Sequence, residues 1–381
     1  MAGTITWDTL RELAGFRADK GRAVSVYVNL DPSEVPTVAD AQTRMRSLIS
    51  DAERQLAERR ASLDGATRKA LESDLERIRT WFDADFDRDG ARGLAIFAAG
   101  LDNFWRPIEL PAPIADAARI GDELYLAPLV RQAGGEEGAL VAYVGRERGE
   151  VFRLRGGRLV AIADRSDEVP GRHDQGGWSQ ARYERHIEEI VARHLGEVAE
   201  TLDGCVRRLR GVPIVLAGPE GSRPDFEAML ATETRSCLAG WTTAEAHADA
   251  QQLLAAARPL LDAWRADRDR ALLERWREEA AKAGRAATGW DETLEAASDG
   301  RVDLLLVQDG ADRPAYRCPA CGRAATSDGA CPLDGTSMEG CPNGLDLAVH
   351  QTLNHGGTVH VVGEEQRDLE PVGGVAALLR F

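Results

Sequence analysis

The chain has 381 residues, more than one ordinary core accommodates, so two or three domains are expected. Hydrophobic residues at 43% and charged residues at 29% fit a folded soluble protein, and no run of about 18 apolar residues offers a membrane span. A net charge of −16 argues against general RNA coating by charge, yet it permits docking in a preformed cleft through a few local arginines.

The first residues, Met1-Ala2-Gly3-Thr4-Ile5, lack the basic start and apolar stretch of a signal peptide, which points to the cytoplasm. Residues 24–30 alternate as a strand and close in the turn Asp31-Pro32-Ser33. Residues 38–83 carry apolar side chains at a spacing near 3.6, which predicts two helices around Leu63-Asp64-Gly65. Strands follow at 93–98 and around 104–108, and the Gly-rich, charged stretch 131–138 reads as a linker. Next come strands at 139–144, 149–155 and 158–163, a meander with a Gly-Gly turn. A polar loop, 164–178, leads into a long helix over 179–209, where Tyr183, Ile187, Ile190, Val191, Leu195, Val198 and Leu202 recur on one buried face. A strand at 212–217 and helices over 244–283 complete an α/β layer pattern. The last third alternates helix 291–297, strand 302–307, a cysteine-rich piece, helix 346–355, strand 358–362 and a closing strand 375–381. His186 and His194 share the long helix at a spacing of eight with no ligand partner placed by sequence, and read as surface or satisfied core residues. Cys205 and Cys237 read as small apolar fillers. No P-loop, dinucleotide glycine pattern or Gly-x-Ser-x-Gly elbow occurs, so NTPase, dehydrogenase and α/β-hydrolase chemistry lack support.

The loop before the long helix is the most distinctive stretch. Gly176 and Gly177 allow close approach of the backbone to a partner, and Ser179 is placed to cap the helix. The helix start then offers unpaired N–H donors suited to an anion or a developing oxyanion. Gln180 can orient a water, and Trp178 can stack on a base. His173 and Asp174 flank the loop and are either solvated or assist binding.

Four cysteines fall close together near the C-terminus, which in a cytoplasmic chain suggests a metal rather than disulfides. Cys318-Pro319-Ala320-Cys321-Gly322 has the form of a zinc knuckle. Cys331-Pro332-Leu333-Asp334-Gly335 repeats it with Asp in the fourth place, and Cys341 follows. A structural Zn2+ site would use Cys318, Cys321, Cys331 and Cys341, with Asp334 as the alternative fourth ligand. Thiolate chemistry favours Cys341 and spacing favours Asp334.

Gly176, Gly177, Ser179, Arg182, Tyr183 and Arg185 match the hydrolytic loop and following helix of archaeal and eukaryotic class-I release factors, a Gly-Gly-Gln-Ser pattern with trailing arginines. The stretches 287–307 and 371–381 resemble the opening and the closing Gly-Gly strand of that family's C-terminal domain. The chain therefore resembles the class-I release factor and Pelota superfamily, in a bacterial branch with Balon-like and Vms-type members. Where the family has its catalytic Gln this chain has Trp178, while Gly177-Trp178-Ser179-Gln180 fits the Gly-x-x-Gln pattern of the Vms-type peptidyl-tRNA hydrolases. The stop-codon motifs Asn-Ile-Lys-Ser and Tyr-x-Cys-x-x-x-Phe do not occur, so standard termination is not expected.

The resemblance implies an α/β, three-domain architecture: 1–135 towards the decoding centre, 136–270 carrying the glycine loop, and 271–381 with a zinc-ribbon insertion at 316–343. It implies a monomer in the ribosomal A site, no membrane, a loop reaching the CCA end of the P-site tRNA, and a translational GTPase partner such as EF-Tu. Trp178, Ser179, Arg182 and His173 would contact tRNA or rRNA, and Gly176, Gly177 and Gln180 would form any catalytic centre. Two functions follow. One is a non-catalytic factor in ribosome hibernation or rescue; the other is a peptidyl-tRNA hydrolase using Gln180. A metal-binding protein without a ribosomal role is the remaining alternative.

Overall fold

Ala23–Asn29 forms a strand, β1, whose seven residues are all buried, which requires cover on both faces. The structure, a computed structural model, describes all residues except 1–4, 6, 62, 89, 135–137, 147, 156, 165–179, 210–211 and 364–365, and leaves out the side chains of 164, 180–188 and 190. β1 is an inner strand of an antiparallel sheet of order β3-β2-β1-β4, with β2 at Gly93–Ala99, β3 at Phe104–Leu110 and β4 at Ala117–Gly121. Helix α1 (Trp7–Ala14) precedes it, and α2 (Val38–Glu58) and α3 (Gly65–Ala84) form the expected helix pair. Val24, Val26 and Val28 pack with Met45, Leu48 and Ile49 of α2 and Leu71, Leu75 and Ile78 of α3. Tyr27 and Phe97 face the other way, onto Leu10 and Leu13 of α1. The turn between α2 and α3 is fixed by Asp64, whose carboxylate accepts the N–H groups of Ala66 and Thr67.

Helix α4 (Ala127–Gly134) runs into the stretch expected as a linker. Leu129 and Val130 are buried, and the carboxylate of Asp346, far along the chain, accepts the N–H groups of Leu126 and Ala127. A tertiary cap therefore overrides the Gly-rich composition.

Contacts divide the chain into two units, Met1–Gly135 with Asp269–Phe381, and Glu136–Arg268. In the second, β5 (Leu140–Val144), β6 (Gly149–Arg155) and β7 (Arg158–Asp164) form the expected antiparallel meander. After α5 (Gln180–Leu209) come β8 (Ile214–Ala217), α6 (Arg223–Met229), α7 (Thr232–Ser236) and β9 (Leu238–Thr242). The sheet order is β7-β6-β5-β8-β9, with β8 parallel to both β5 and β9. One long helix, α8 (Ala250–Ala281), stands where several were expected. Leu195, Val198, Leu202 and Val206 of α5 cover one sheet face, and Leu253, Ala257 and Leu261 of α8 cover the other. The close approach of α5 needs a glycine at 149, since a Cβ there would stand 2.5 Å from Val198 Cγ2. His194 is fully buried beside it, and among the described residues its ring nitrogens have no hydrogen-bond partner, which corrects the expectation of a satisfied core histidine.

The chain then returns to the first unit with β10 (Ala286–Thr288), α9 (Gly289–Ser298) and β11 (Val302–Gln308). A small antiparallel sheet of order β13-β12-β14 follows, built from β12 (Ala315–Arg317), β13 (Ala324–Ala325) and β14 (Glu339–Cys341). Helix α10 (Gly344–Asn354), β15 (Thr358–Val362) and β16 (Val375–Leu379) close the chain, giving a sheet β10-β16-β11-β15 in which β11 and β15 are parallel. Trp290, Leu294, Leu305, Leu347 and Leu353 belong to the same apolar cluster as Leu10, Tyr27 and Phe97, so the two ends of the chain share one core. A ring nitrogen of His350 lies 2.6 Å from the Leu124 carbonyl oxygen, and Arg317 pairs with Glu123 at 2.7 Å, across the same junction. The whole is a mixed α/β fold. Among the described residues no helix is long and apolar enough to cross a membrane.

Candidate functional site: the glycine loop and the cysteine knuckles

His173, Asp174, Gly176, Gly177, Trp178 and Ser179 lie outside the described residues, as do the side chains of Gln180, Arg182, Tyr183 and His186. The frame that carries them is described. Helix α5 starts at Gln180, and from Val191 onwards its apolar face sits on β5, β6 and β8.

The cysteine-rich piece is described in full. Two loops repeat one geometry. In the first, the Cys318 N–H donates to the Arg323 carbonyl at 2.8 Å and the Gly322 N–H to the Cys318 carbonyl at 2.9 Å. In the second, the Cys331 N–H donates to the Thr336 carbonyl at 2.7 Å and the Gly335 N–H to the Cys331 carbonyl at 2.9 Å. Gly322 and Gly335 both adopt positive φ, 80° and 75°, the conformation such a turn demands. The second loop is thus a copy of the first, and it sets Asp334 where the first sets Cys321.

Cys318, Cys321, Cys331 and Asp334 present one ligand atom each, all within 4.8 Å of one another. Cys321 Sγ is 3.5 Å from Cys331 Sγ, and Cys318 Sγ is 3.4 Å from Asp334 Oδ2. Cys318 and Cys331 are buried, while Cys321 and Asp334 are exposed. Burial raises the Cys318 thiol, but the N–H groups of Cys321 and Ala320 outweigh it and hold the pKa below its usual value. The Thr336 N–H, 2.8 Å from Asp334 Oδ1, holds that carboxyl well below the usual carboxylate range. The group can hold one metal ion.

Cys341, the fourth ligand that thiolate chemistry favoured, stands apart. It ends β14, paired with Ala315, and its thiol reaches only the Glu339 carbonyl at 4.0 Å. Asp334, the residue that spacing favoured, stands beside the three cysteines instead, because the turn and not ligand softness decides which side chain arrives.

The sequence did not single out Arg17, Arg22, Arg59, Arg119 and Arg317, which line one cavity in the first unit. They are spread over most of the chain, and only the shared core of its two ends brings them together.

Comparison with known proteins places both halves of this frame. The model of bacterial archaeo-eukaryotic release factor family 10 matches residues 125–261, which include the glycine loop, and eRF1 domain 3 matches residues 266–381. Peptide chain release factor subunit 1 of Archaeoglobus fulgidus is 24% identical over 100% of this chain and 98% of its own. The protein of the same name from Thermoplasma acidophilum is 25% identical over 72% of this chain and 71% of its own. Among solved structures, the archaeal termination factor aRF1 aligns over 99% of both chains at 19% identity with a TM-score of 0.29. The chain belongs to the release factor and Pelota superfamily, in its bacterial branch.

Proposed function

We propose that this protein is a ribosome-binding translation factor that occupies the A site without hydrolysing peptidyl-tRNA, acting in hibernation or rescue. The observation that carries the reading is the match to the bacterial release factor family across residues 125–261, combined with Trp178 at the position of the superfamily's catalytic Gln. An indole N–H donates and stacks but cannot accept a proton or a hydrogen bond from an attacking water, so the substitution removes the group that orients it. In this reading Gly176 and Gly177 let the loop approach the CCA end of the P-site tRNA. Trp178, Ser179, Arg182 and His173 contact RNA. The first unit would meet the decoding centre and a translational GTPase such as EF-Tu.

One pattern favours the alternative. Gly177-Trp178-Ser179-Gln180 retains a glutamine at Gly-x-x-Gln spacing, so a hydrolase would use Gln180 with the glycine N–H groups. The experiment is co-sedimentation with ribosomes carrying labelled peptidyl-tRNA, with peptide release followed in the same samples for the wild type and Gln180→Ala. Equal binding and no release by either supports the proposal. Release that the variant loses establishes the hydrolase, and failure of both to bind removes the ribosomal role.

The cysteine group fits zinc. With Zn–S bonds of about 2.3 Å and a Zn–O bond of about 2.0 Å, neighbouring donors of a tetrahedral site lie about 3.5–3.8 Å apart. The 3.5 Å Cys321–Cys331 and 3.4 Å Cys318–Asp334 separations match those edges closely. Around them only Cys318, Cys331 and Met338 are buried together, a core too small to hold a loop-rich insertion by itself. A bound ion would hold the ribbon's fold through these four residues; four protein ligands leave no open position for catalysis.

A further inference from the structure

Five guanidinium groups, of Arg17, Arg22, Arg59, Arg119 and Arg317, line one cavity of about 470 Å³ in the first unit. Carboxyl groups of Asp122, Glu123, Glu339 and Asp346 also border it. Three of these are engaged. Asp122 pairs with Arg22, Glu123 lies 2.7 Å from Arg317, and Asp346 accepts the N–H groups of Leu126 and Ala127. Arg119 donates through Nε to Asn343 Oδ1 at 3.2 Å and lies over the Tyr125 ring at 5.5 Å. Arg59 donates through Nη1 to the Ile120 carbonyl at 2.7 Å. Arg17 is exposed, and among the described residues neither it nor Arg119 has a carboxylate within ion-pair distance.

This arrangement resembles a prepared anion site more than an ion-pair network. A guanidinium carries five N–H donors, so a group held by the protein at one edge can offer another edge to a ligand with little further loss of freedom. The arginines also act on one another. Burial lowers the Arg22 pKa, Glu339 opposes that, and Arg59 and Arg17 add to the lowering, so three cations sit within electrostatic reach. In a chain of net charge −16 such a gathering is a local reversal of sign. A ligand that engages several of these forks at once needs adjacent anionic oxygens in fork-matching geometry, which a phosphate chain supplies. The cavity is within the range of small-molecule sites, about 300–1,000 Å³, and Tyr125 with Pro319 and Pro342 gives it an apolar wall.

We propose that this cleft binds a polyphosphate of nucleotide size through Arg17, Arg22, Arg59, Arg119 and Arg317. The test is calorimetric titration of the full-length protein, in the absence of ribosomes, with ATP, GTP and inorganic triphosphate. Saturable one-to-one binding that weakens with salt is expected. Arg17→Glu combined with Arg119→Gln should weaken it by about tenfold or more. Arg79→Glu, on α3 and paired with Glu76, should leave it unchanged. Arg17→Glu alone serves if the double variant does not fold, because Arg17 is exposed. Cys341 borders the same cavity, so its alkylation, read by mass spectrometry, should slow when the ligand is present. Tighter binding of a nucleotide than of inorganic triphosphate identifies a nucleoside ligand, and equal binding identifies the phosphate chain alone. The proposal is overturned if none of the three binds saturably, or if the arginine variants bind as the wild type does.

Discussion

At Asp334 and Cys341 two chemical preferences compete, and backbone geometry decides between them. For the proposed zinc site, Cys341→Ala should leave metal binding at full stoichiometry, while Asp334→Ala should weaken it by about tenfold or more, measured by competition with a chromogenic chelator. Metal loss in Cys341→Ala would refute the assignment. The Cys331-x-x-Asp334-Gly335 spacing was present in the sequence, but softness arguments cannot see that the second turn copies the first. Asp346 offers a second residue-scale test. Burial pushes its carboxyl up, against His350 and the N–H groups of Leu126 and Ala127, which favour the charged form. A raised folded-state pKa contributes stability that is complete in acid and is lost as pH rises through that value. Asp346→Asn keeps an acceptor for both N–H groups and does not titrate. Its stability relative to the wild type should therefore rise as pH climbs above the usual carboxylate range in urea unfolding, and a flat difference would exclude the linkage. No sequence pattern marks Asp346, because its partners lie more than 200 positions away.

At the scale of elements, long periodic segments were legible and short or tertiary-held ones were not. The pairs α2 with α3 and β1 with β2 follow from their own spacing. The three residues of β10 and the alanine-rich β4 carry too little pattern, and α4 depends on a cap from elsewhere. The glycine loop was legible as a motif, and its positions lie outside the described residues. The C-terminal motifs gain a physical reason: the Trp290 indole N–H donates to the Gly373 carbonyl at 2.8 Å, joining segments far apart in sequence. Gly373 and Gly374 both take positive φ, 79° and 83°, and a Cβ on Gly374 would stand 2.5 Å from Ala311 Cβ. Gly374→Ala should cost about 2–4 kcal/mol, read from the denaturation midpoint. A loss under about 0.5 kcal/mol would mean that the turn relaxes freely.

Over the whole molecule, the apolar cluster shared by Leu10, Tyr27, Phe97, Trp290 and Leu347 joins the two ends of the chain in one contact unit, which should unfold as one cooperative body. Leu347→Ala, a cavity in that cluster, should cost about 2–4 kcal/mol and raise hydrogen exchange in β1 and β2 together with β11 and β16. Faster exchange confined to the C-terminal strands would show two independent bodies. Sequence order could suggest each sheet but not this union, because periodicity reports which face is buried and not what covers it. The union has a consequence for synthesis. Residues 1–135 leave the ribosome with α1 on the Tyr27 face, while the rest of that cluster, from Trp290 onwards, is translated only after the intervening unit. At about 5–20 residues per second, that cluster stays incomplete for roughly tens of seconds. A message truncated before the last third should therefore yield a product less stable than the full chain, because part of the shared cluster is missing.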